Sequence, residues 1–117
     1  MEFIEYSKCS TCKKAKKFLE ENNIKFKDRP IKEDTPTKEE INLWIKKYKI
    51  DINKLFNTSG LVYKQLNLKE KKDSLTEKEK IELLSSNGML IKRPLLITKD
   101  NILIGFKESL WSEVLKS

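Results

Sequence analysis

A chain of 117 residues, 38% hydrophobic and 37% charged, is long enough for one domain with a buried core and too apolar to be read as disordered. The formal net charge is +7, carried by lysines interleaved with glutamates along the whole chain, with only two arginines; that pattern fits solvated helix faces and argues against direct sequence-specific DNA binding. No apolar run approaches the roughly 18–20 residues of a membrane span and no targeting segment is visible, so the expected location is the cytoplasm.

Glu2 to Tyr6 mixes polar and apolar residues like a half-buried strand. Lys13 to Asn22 reads as a helix with Ala15, Phe18 and Leu19 on one side. Asn22-Asn23 signals a turn, and Ile24 to Lys27 reads as a second strand, parallel to the first; Arg29-Pro30-Ile31 is expected to leave the sheet. Thr37-Lys38-Glu39-Glu40 is a capping box opening a helix to about Lys49, with Ile41, Trp44, Ile45 and Tyr48 on one apolar face. From Ile52 to Leu68 short helices are expected, broken near Asn57-Thr58-Ser59-Gly60 and using Leu61, Val62, Leu66 and Leu68. Lys69 to Asp73 reads as a charged connector. A second capping box at Thr76 opens a helix that should stop at Asn87-Gly88, with Gly88 as its C-terminal cap. Leu95 to Thr98 and Ile102 to Gly105 form an antiparallel hairpin around Lys99-Asp100-Asn101. Lys107 to Lys116 is a final helix packing Leu110, Trp111, Val114 and Leu115. The expected fold is a single α/β domain over 1–117 with a mixed sheet of about four strands; a helical insertion, about 37–88, separates the second and third strands.

The only two cysteines, Cys9 and Cys12, are spaced Cys-x-x-Cys where the first strand hands over to the first helix. A helix N-terminus offers unpaired amides and the positive end of the helix dipole, and both favour a thiolate over a thiol. Cys9 is expected just ahead of the first turn, facing the amides of Ser10 to Cys12, with Lys8 and Lys13 adding positive charge. Cys12, inside the turn, is expected to be more buried and less acidic. This is the arrangement of an exposed nucleophile and a resolving thiol. Two idle core cysteines are the plain alternative. Two cysteines and no histidine fall short of the four ligands of a structural zinc site, so no metal is expected. A secreted structural disulfide would need an export signal.

The Cys-x-x-Cys at a strand end and a proline opening a late strand resemble the thioredoxin-like fold. Four stretches together resemble the arsenate-reductase-like family, which includes glutaredoxin-linked arsenate reductases and Spx-type regulators of RNA polymerase. They are Lys8 to Ala15, Leu55 to Gly60, Leu84 to Pro94 and Gly105 to Glu108. The resemblance implies that Cys9 is the catalytic or redox-sensing cysteine. It implies that Arg93 lies beside it, ahead of a cis Pro94, where it stabilises the thiolate or forks onto an oxyanion. Lys8, Ser10, Thr11, Lys13, Asn57 and Pro94 would surround the substrate. No bound cofactor is implied; an external thiol (glutathione, glutaredoxin or thioredoxin) would be the reductant.

The sequence departs from each branch. Arsenate reductases bring three arginines to the oxyanion; here Asn57 holds the place of the first, and no arginine stands near Gly105-Phe106. Cys12 sides with the Spx-type loop, but the turn at Lys49-Ile50-Asp51 lacks the glycine which that branch uses to meet the RNA polymerase α subunit. The chain reads as a third type. Two functions follow as expectations: a thiol-dependent reductase with arsenate as a candidate substrate, or a redox-switched partner of the polymerase α subunit.

Overall fold

The computed structural model describes residues 1–116. The chain folds as two compact units: Met1–Pro30 with the chain from Arg93 onward, and Ile31–Lys92.

The first unit holds a thioredoxin-like mixed sheet of four strands, β1 (Glu2–Glu5), β2 (Lys27–Pro30), β3 (Leu95–Ile97) and β4 (Ile102–Ile104), in the order β2-β1-β3-β4. β1 pairs parallel with β2 and antiparallel with β3, and β3 pairs antiparallel with β4. The parallel pair follows from the crossover helix α1 (Ser10–Glu21) between its strands. Because β1 is central, Phe3, Ile4 and Glu5 are all buried. The core is a cluster of Phe3, Ala15, Phe18, Leu19, Leu96, Leu103 and Trp111. Trp111 lies on α6 (Glu108–Lys116), edge-on to Phe106 at 5.0 Å and to Phe3 at 6.4 Å. Its Nε1–H donates to the Gly105 carbonyl at 3.1 Å, which satisfies the one polar atom of a fully buried ring. Gly105 has φ 73°, a left-handed conformation that a side chain would strain.

The first helix begins at Ser10 with Cys9 as its cap, in line with Cys9 just ahead of the first turn and Cys12 inside it; the pattern from Lys13 covers only its later part. Two expectations for this unit are corrected. The second strand is Lys27–Pro30, not Ile24 to Lys27, so Arg29 and Pro30 belong to the sheet. Asn23 turns the chain at φ 56°, and the half-buried Ile24 and Phe26 fold back against the core cluster before pairing begins. Pro30 is tolerated because β2 is an edge strand. Leu110 is 44% exposed; α6 uses Trp111, Val114 and Leu115 for packing.

The second unit, which lies in sequence between β2 and β3, contains α2 (Lys38–Tyr48), α3 (Leu61–Gln65), α4 (Leu68–Lys71) and α5 (Glu77–Ser86), joined by 3₁₀ turns. Both capping boxes form: Thr37 Oγ1 accepts from Glu40 N at 3.1 Å and Thr76 Oγ1 from Glu79 N at 3.1 Å, while each glutamate accepts the threonine's own N–H. Ile41 and Trp44 of α2 and Leu84 of α5 are buried. An antiparallel bridge joins Phe56 to Ile91, backed by Asn57 N donating to Leu90 O at 2.7 Å and Lys92 N to Leu55 O at 2.7 Å.

The charged connector is helical, as α4 and the 3₁₀ turn Lys72–Ser74. Lysine and glutamate are good helix formers, and Lys72 finds the Phe56 and Tyr63 rings at 5.4 and 5.5 Å. Leu61 and Leu66 are exposed, at 70% and 42%, so Tyr63 and Leu68 carry the packing there. Gly88 is not a left-handed cap. α5 ends at Ser86, and the Asn87 side chain accepts from Met89 N at 2.9 Å to start a 3₁₀ turn.

A glycine is required at Gly88 for a different reason: an added Cβ would lie 2.2 Å from the Ile31 carbonyl oxygen. Gly88→Ala is expected to lower stability by about 1–3 kcal/mol through that backbone clash, read as a lower urea midpoint at unchanged m. A neutral substitution would show that the loop yields freely. Among the described residues no helix is long and apolar enough to cross a membrane.

Candidate active site

Cys9 is the N-cap residue of α1. Its backbone is extended (φ −91°, ψ 120°), its N–H donates to Tyr6 O at 3.0 Å, and its carbonyl accepts the first helical bond from Lys13 N at 3.1 Å. Its Sγ stands where a capping oxygen usually does, accepting from Cys12 N at 3.4 Å. Both sulfurs are free thiols; Cys9 is half-buried and Cys12 fully buried.

The two environments push the thiols apart. Burial alone would raise Cys9. The Cys12 thiol and amide and the Arg93 guanidinium outweigh it, so Cys9 falls below an ordinary thiol. Cys12 is pushed up to about 12, first by burial and then by its neighbour Cys9, against the opposing pull of a Tyr6 backbone hydrogen bond and Arg93. Cys9 is the more acidic sulfur of the two, and Cys12 holds its proton.

Arg93 precedes Pro94 through a cis peptide bond, and the Pro94 carbonyl accepts from Gly105 N at 2.8 Å, which anchors this corner to the hairpin. The guanidinium carbon lies 5.0 Å from the centre of the Tyr6 ring, a cation–π contact. Nε and Nη1 of Arg93 are buried and have no hydrogen-bond partner among the described residues. Two desolvated donors beside the more acidic thiol suit an anion or an adduct on sulfur.

The first unit therefore brings together Cys9, Cys12, Arg93 and Pro94. Lys8, Ser10, Thr11 and Lys13 are exposed around the loop, and Pro94 is buried. Asn57 belongs to the second unit, where its side-chain oxygen accepts from Ser59 Oγ at 3.3 Å. No group of three or more His, Cys, Asp or Glu side chains suited to a metal ion occurs among the described residues.

Two features escape the sequence reading. Tyr6 was visible only as the end of a strand, yet it carries the Arg93 guanidinium. Glu5 is 7% exposed; Lys16 Nζ lies 3.5 Å from Glu5 Oε2 and 2.7 Å from Asp28 Oδ2. The period-two register with Phe3 and the position of Lys16 one turn beyond Cys12 were the available signals.

Burial, then the nearby Asp28 carboxylate, pushes Glu5 up to about 7, with Lys16 opposing. The sign of the linkage follows. The folded chain keeps the Glu5 proton to about pH 7, whereas an unperturbed glutamate releases it near 4.5, so stability falls as pH rises through that window. Asp28 is shifted down, so its contribution is lost below 3.8, outside this window. Glu5→Gln is expected to flatten the decline between about pH 5 and 7, measured by urea unfolding at several pH values. An unchanged slope would assign the effect to another group.

A profile of the ArsC family matches residues 4–114. Among curated proteins, the chain is 48% identical over 111 residues to the uncharacterized protein YusI of Bacillus subtilis (strain 168), covering 95% of this chain and 94% of that protein. It is 31% identical over 104 residues to the regulatory protein MgsR of the same organism, covering 89% and 81%. Among solved structures, it superposes on an ArsC family related protein from Bacteroides fragilis with a TM-score of 0.91 at 49% identity, covering 97% and 95%. Both the sheet that carries Cys9 and the helical stretch between β2 and β3 fall within these matches, and the chain belongs to the ArsC family.

Proposed function

We propose that this chain is a thiol–disulfide redox protein of the cytoplasm in which Cys9 is the nucleophile and Cys12 the resolving thiol. The observation that carries the reading is the split between two sulfurs three residues apart: Cys9 Sγ on the Cys12 amide at 3.4 Å beside Arg93, and Cys12 buried with its proton held. Cys9 thiolate attacks an oxidised substrate and forms an adduct on Sγ, displacing one thiolate from a disulfide or one protonated oxygen, as water, from an oxyanion. Cys12 then gives up its proton and attacks Cys9 Sγ. The Cys9–Cys12 disulfide forms and the reduced product leaves with the two electrons. An external thiol, whether glutathione, glutaredoxin or thioredoxin, restores the dithiol. Arg93 steadies the thiolate and offers Nε and Nη1 to the adduct. Lys8, Ser10, Thr11, Lys13, Asn57 and Pro94 are the proposed surroundings of the substrate. Arsenate is a candidate, held by one arginine fork where the reductases use three.

The test is a Cys12→Ser variant incubated with a mixed-disulfide substrate. It should accumulate a stable adduct on Cys9, while the parent chain passes to an internal disulfide, both seen by mass. Absence of any Cys9 adduct contradicts the reading. Arsenate-dependent consumption of reducing equivalents decides the arsenate version.

The Cys-x-x-Cys loop and the 31% identity to a regulatory protein favour a second reading, a redox-sensing regulator that binds the RNA polymerase α subunit. Oxidation-dependent co-purification with that subunit supports it; no binding in either redox state ends it.

A further inference from the structure

Helix α1 carries its charges the wrong way round. A helix is positive at its N-terminus and negative at its C-terminus, so acids are favoured in the first turn and bases in the last. α2 follows the rule, with Glu39 and Glu40 first and Lys46 and Lys47 last; α5 opens on Glu77 and Glu79. α1 has no acid in its first turn and no base in its last. Instead Lys13 and Lys14 follow the cap, Lys8 precedes it, and Glu20 and Glu21 close the helix.

The lysines of this region fall into two sets. Lys16 is engaged by Glu5 and Asp28, and Lys17 lies 3.7 Å from Glu21. Lys8, Lys13 and Lys14 are exposed and make no ion pair among the described residues. They lie within five residues of Cys9 at the N-terminal end of α1 and work against the helix dipole, so they do not serve the stability of α1. Beside them, Lys14, Lys17, Phe18 and Phe106 line a shallow cleft that also holds Glu21 and Glu108. The cleft has a partly apolar floor (Phe18 to Phe106, 5.7 Å), with Lys116 Nζ 5.7 Å from the Phe18 ring centre and both lysines and carboxylates along its rim.

We propose that Lys8, Lys13 and Lys14 form the docking face for an acidic-surfaced protein that exchanges thiol and disulfide with Cys9. The inference rests on the redox reading above and names the chemistry of the partner. A long polyanion would meet Glu20, Glu21 and Glu108 as well as Lys17 and Lys116 beyond these three lysines. A small neutral thiol needs no such face. In the exchange, a partner thiolate attacks Cys9 Sγ, the Cys9–Cys12 bond breaks, and Cys12 takes up a proton. The second partner thiol then loses its proton and attacks its own mixed-disulfide sulfur. Cys9 leaves as thiolate, the partner is oxidised and this chain is reduced.

The experiment follows the rate at which the Cys9–Cys12 disulfide of the full chain is reduced by dithiothreitol and by a reduced thioredoxin of net negative charge. Salt is varied from about 20 to 500 mM, with the parent chain and Lys14→Glu compared. The thioredoxin rate should fall at least about tenfold over that range and about tenfold in Lys14→Glu at low salt. The dithiothreitol rate should change far less, by no more than about threefold, since its attacking thiolate carries a single charge and meets little of the steering felt by an acidic protein surface. Lys14→Glu should melt no lower than the parent, because the change corrects the dipole mismatch. A thioredoxin rate no more sensitive to salt and charge than the dithiothreitol rate overturns the proposal. So does Lys14-dependent binding of single- or double-stranded DNA at physiological salt. Failure of dithiothreitol to reduce an oxidised form, or failure to form one, removes the redox reading itself and is told apart by that control.

Discussion

Arg93→Met is expected to slow alkylation of Cys9 at neutral pH by about tenfold and to raise the pH at which Cys9 titrates. A hydrogen bond to a charged partner is worth about 1.5–3 kcal/mol, and solvent at the half-buried Cys9 trims that toward the lower end. The weaker acid is also the better nucleophile, which offsets part of the loss. For an oxyanion substrate the expected loss is larger, about 10²-fold in kcat, because Nε and Nη1 would serve the charge that develops on the adduct. Arg93→Lys keeps a charge but not the planar fork, so it should restore thiolate acidity better than oxyanion turnover. Stability should move little or rise, since the substitution removes two desolvated donors that have no partner among the described residues. Unchanged Cys9 reactivity in Arg93→Met would leave the cap amide and Cys12 as sufficient causes of its acidity.

Trp111→Ala is the substitution expected to cost the fold most. The ring is fully buried, meets Phe3 and Phe106 edge-on, and donates its N–H to Gly105 O. Removing it should cost about 3–5 kcal/mol, against about 5–15 kcal/mol for a whole domain. The variant should show a sharply lower urea midpoint and, near 37 °C, a measurable unfolded fraction. Trp111→Phe keeps most of the packing and loses the bond to Gly105 O, so it should cost less. If Trp111→Ala unfolds like the parent, the first unit is not held by this cluster.

The parts of this molecule that could be read in one dimension are those set by local spacing. The Cys9–Cys12 loop on α1, the hairpin from Leu95 to Ile104 and both threonine–glutamate boxes depend on neighbours within four residues or on a tight turn. What was hidden depends on partners far along the chain. Ile24 and Phe26 alternate like a strand, but they spend their apolar surface on the core cluster, and the ladder starts only at Lys27. Gly88 looks like a helix cap, yet it is needed because the Ile31 carbonyl passes 2.2 Å from where a Cβ would sit. Glu5 is not singled out within the half-buried strand Glu2 to Tyr6, whereas its place on the central strand buries it 3.5 Å from Lys16 Nζ. The resemblance over Leu84 to Pro94 points to Arg93, but not to the Tyr6 ring beneath it or to two nitrogens with no partner among the described residues.

The central claim is that one sulfur of the pair is poised to attack and the other to resolve. Its most direct test is the pH dependence of alkylation of each thiol, measured separately in the reduced Cys12→Ser and Cys9→Ser variants and checked against the parent chain by mapping the modified site. The account predicts that Cys9 reacts readily at neutral pH with a midpoint below an ordinary thiol. Cys12 should stay unreactive until the solution is strongly alkaline or the chain unfolds. Two thiols titrating together near about 8.5, or Cys12 the more reactive, would contradict it, and the pair would then have no physical basis for a redox cycle.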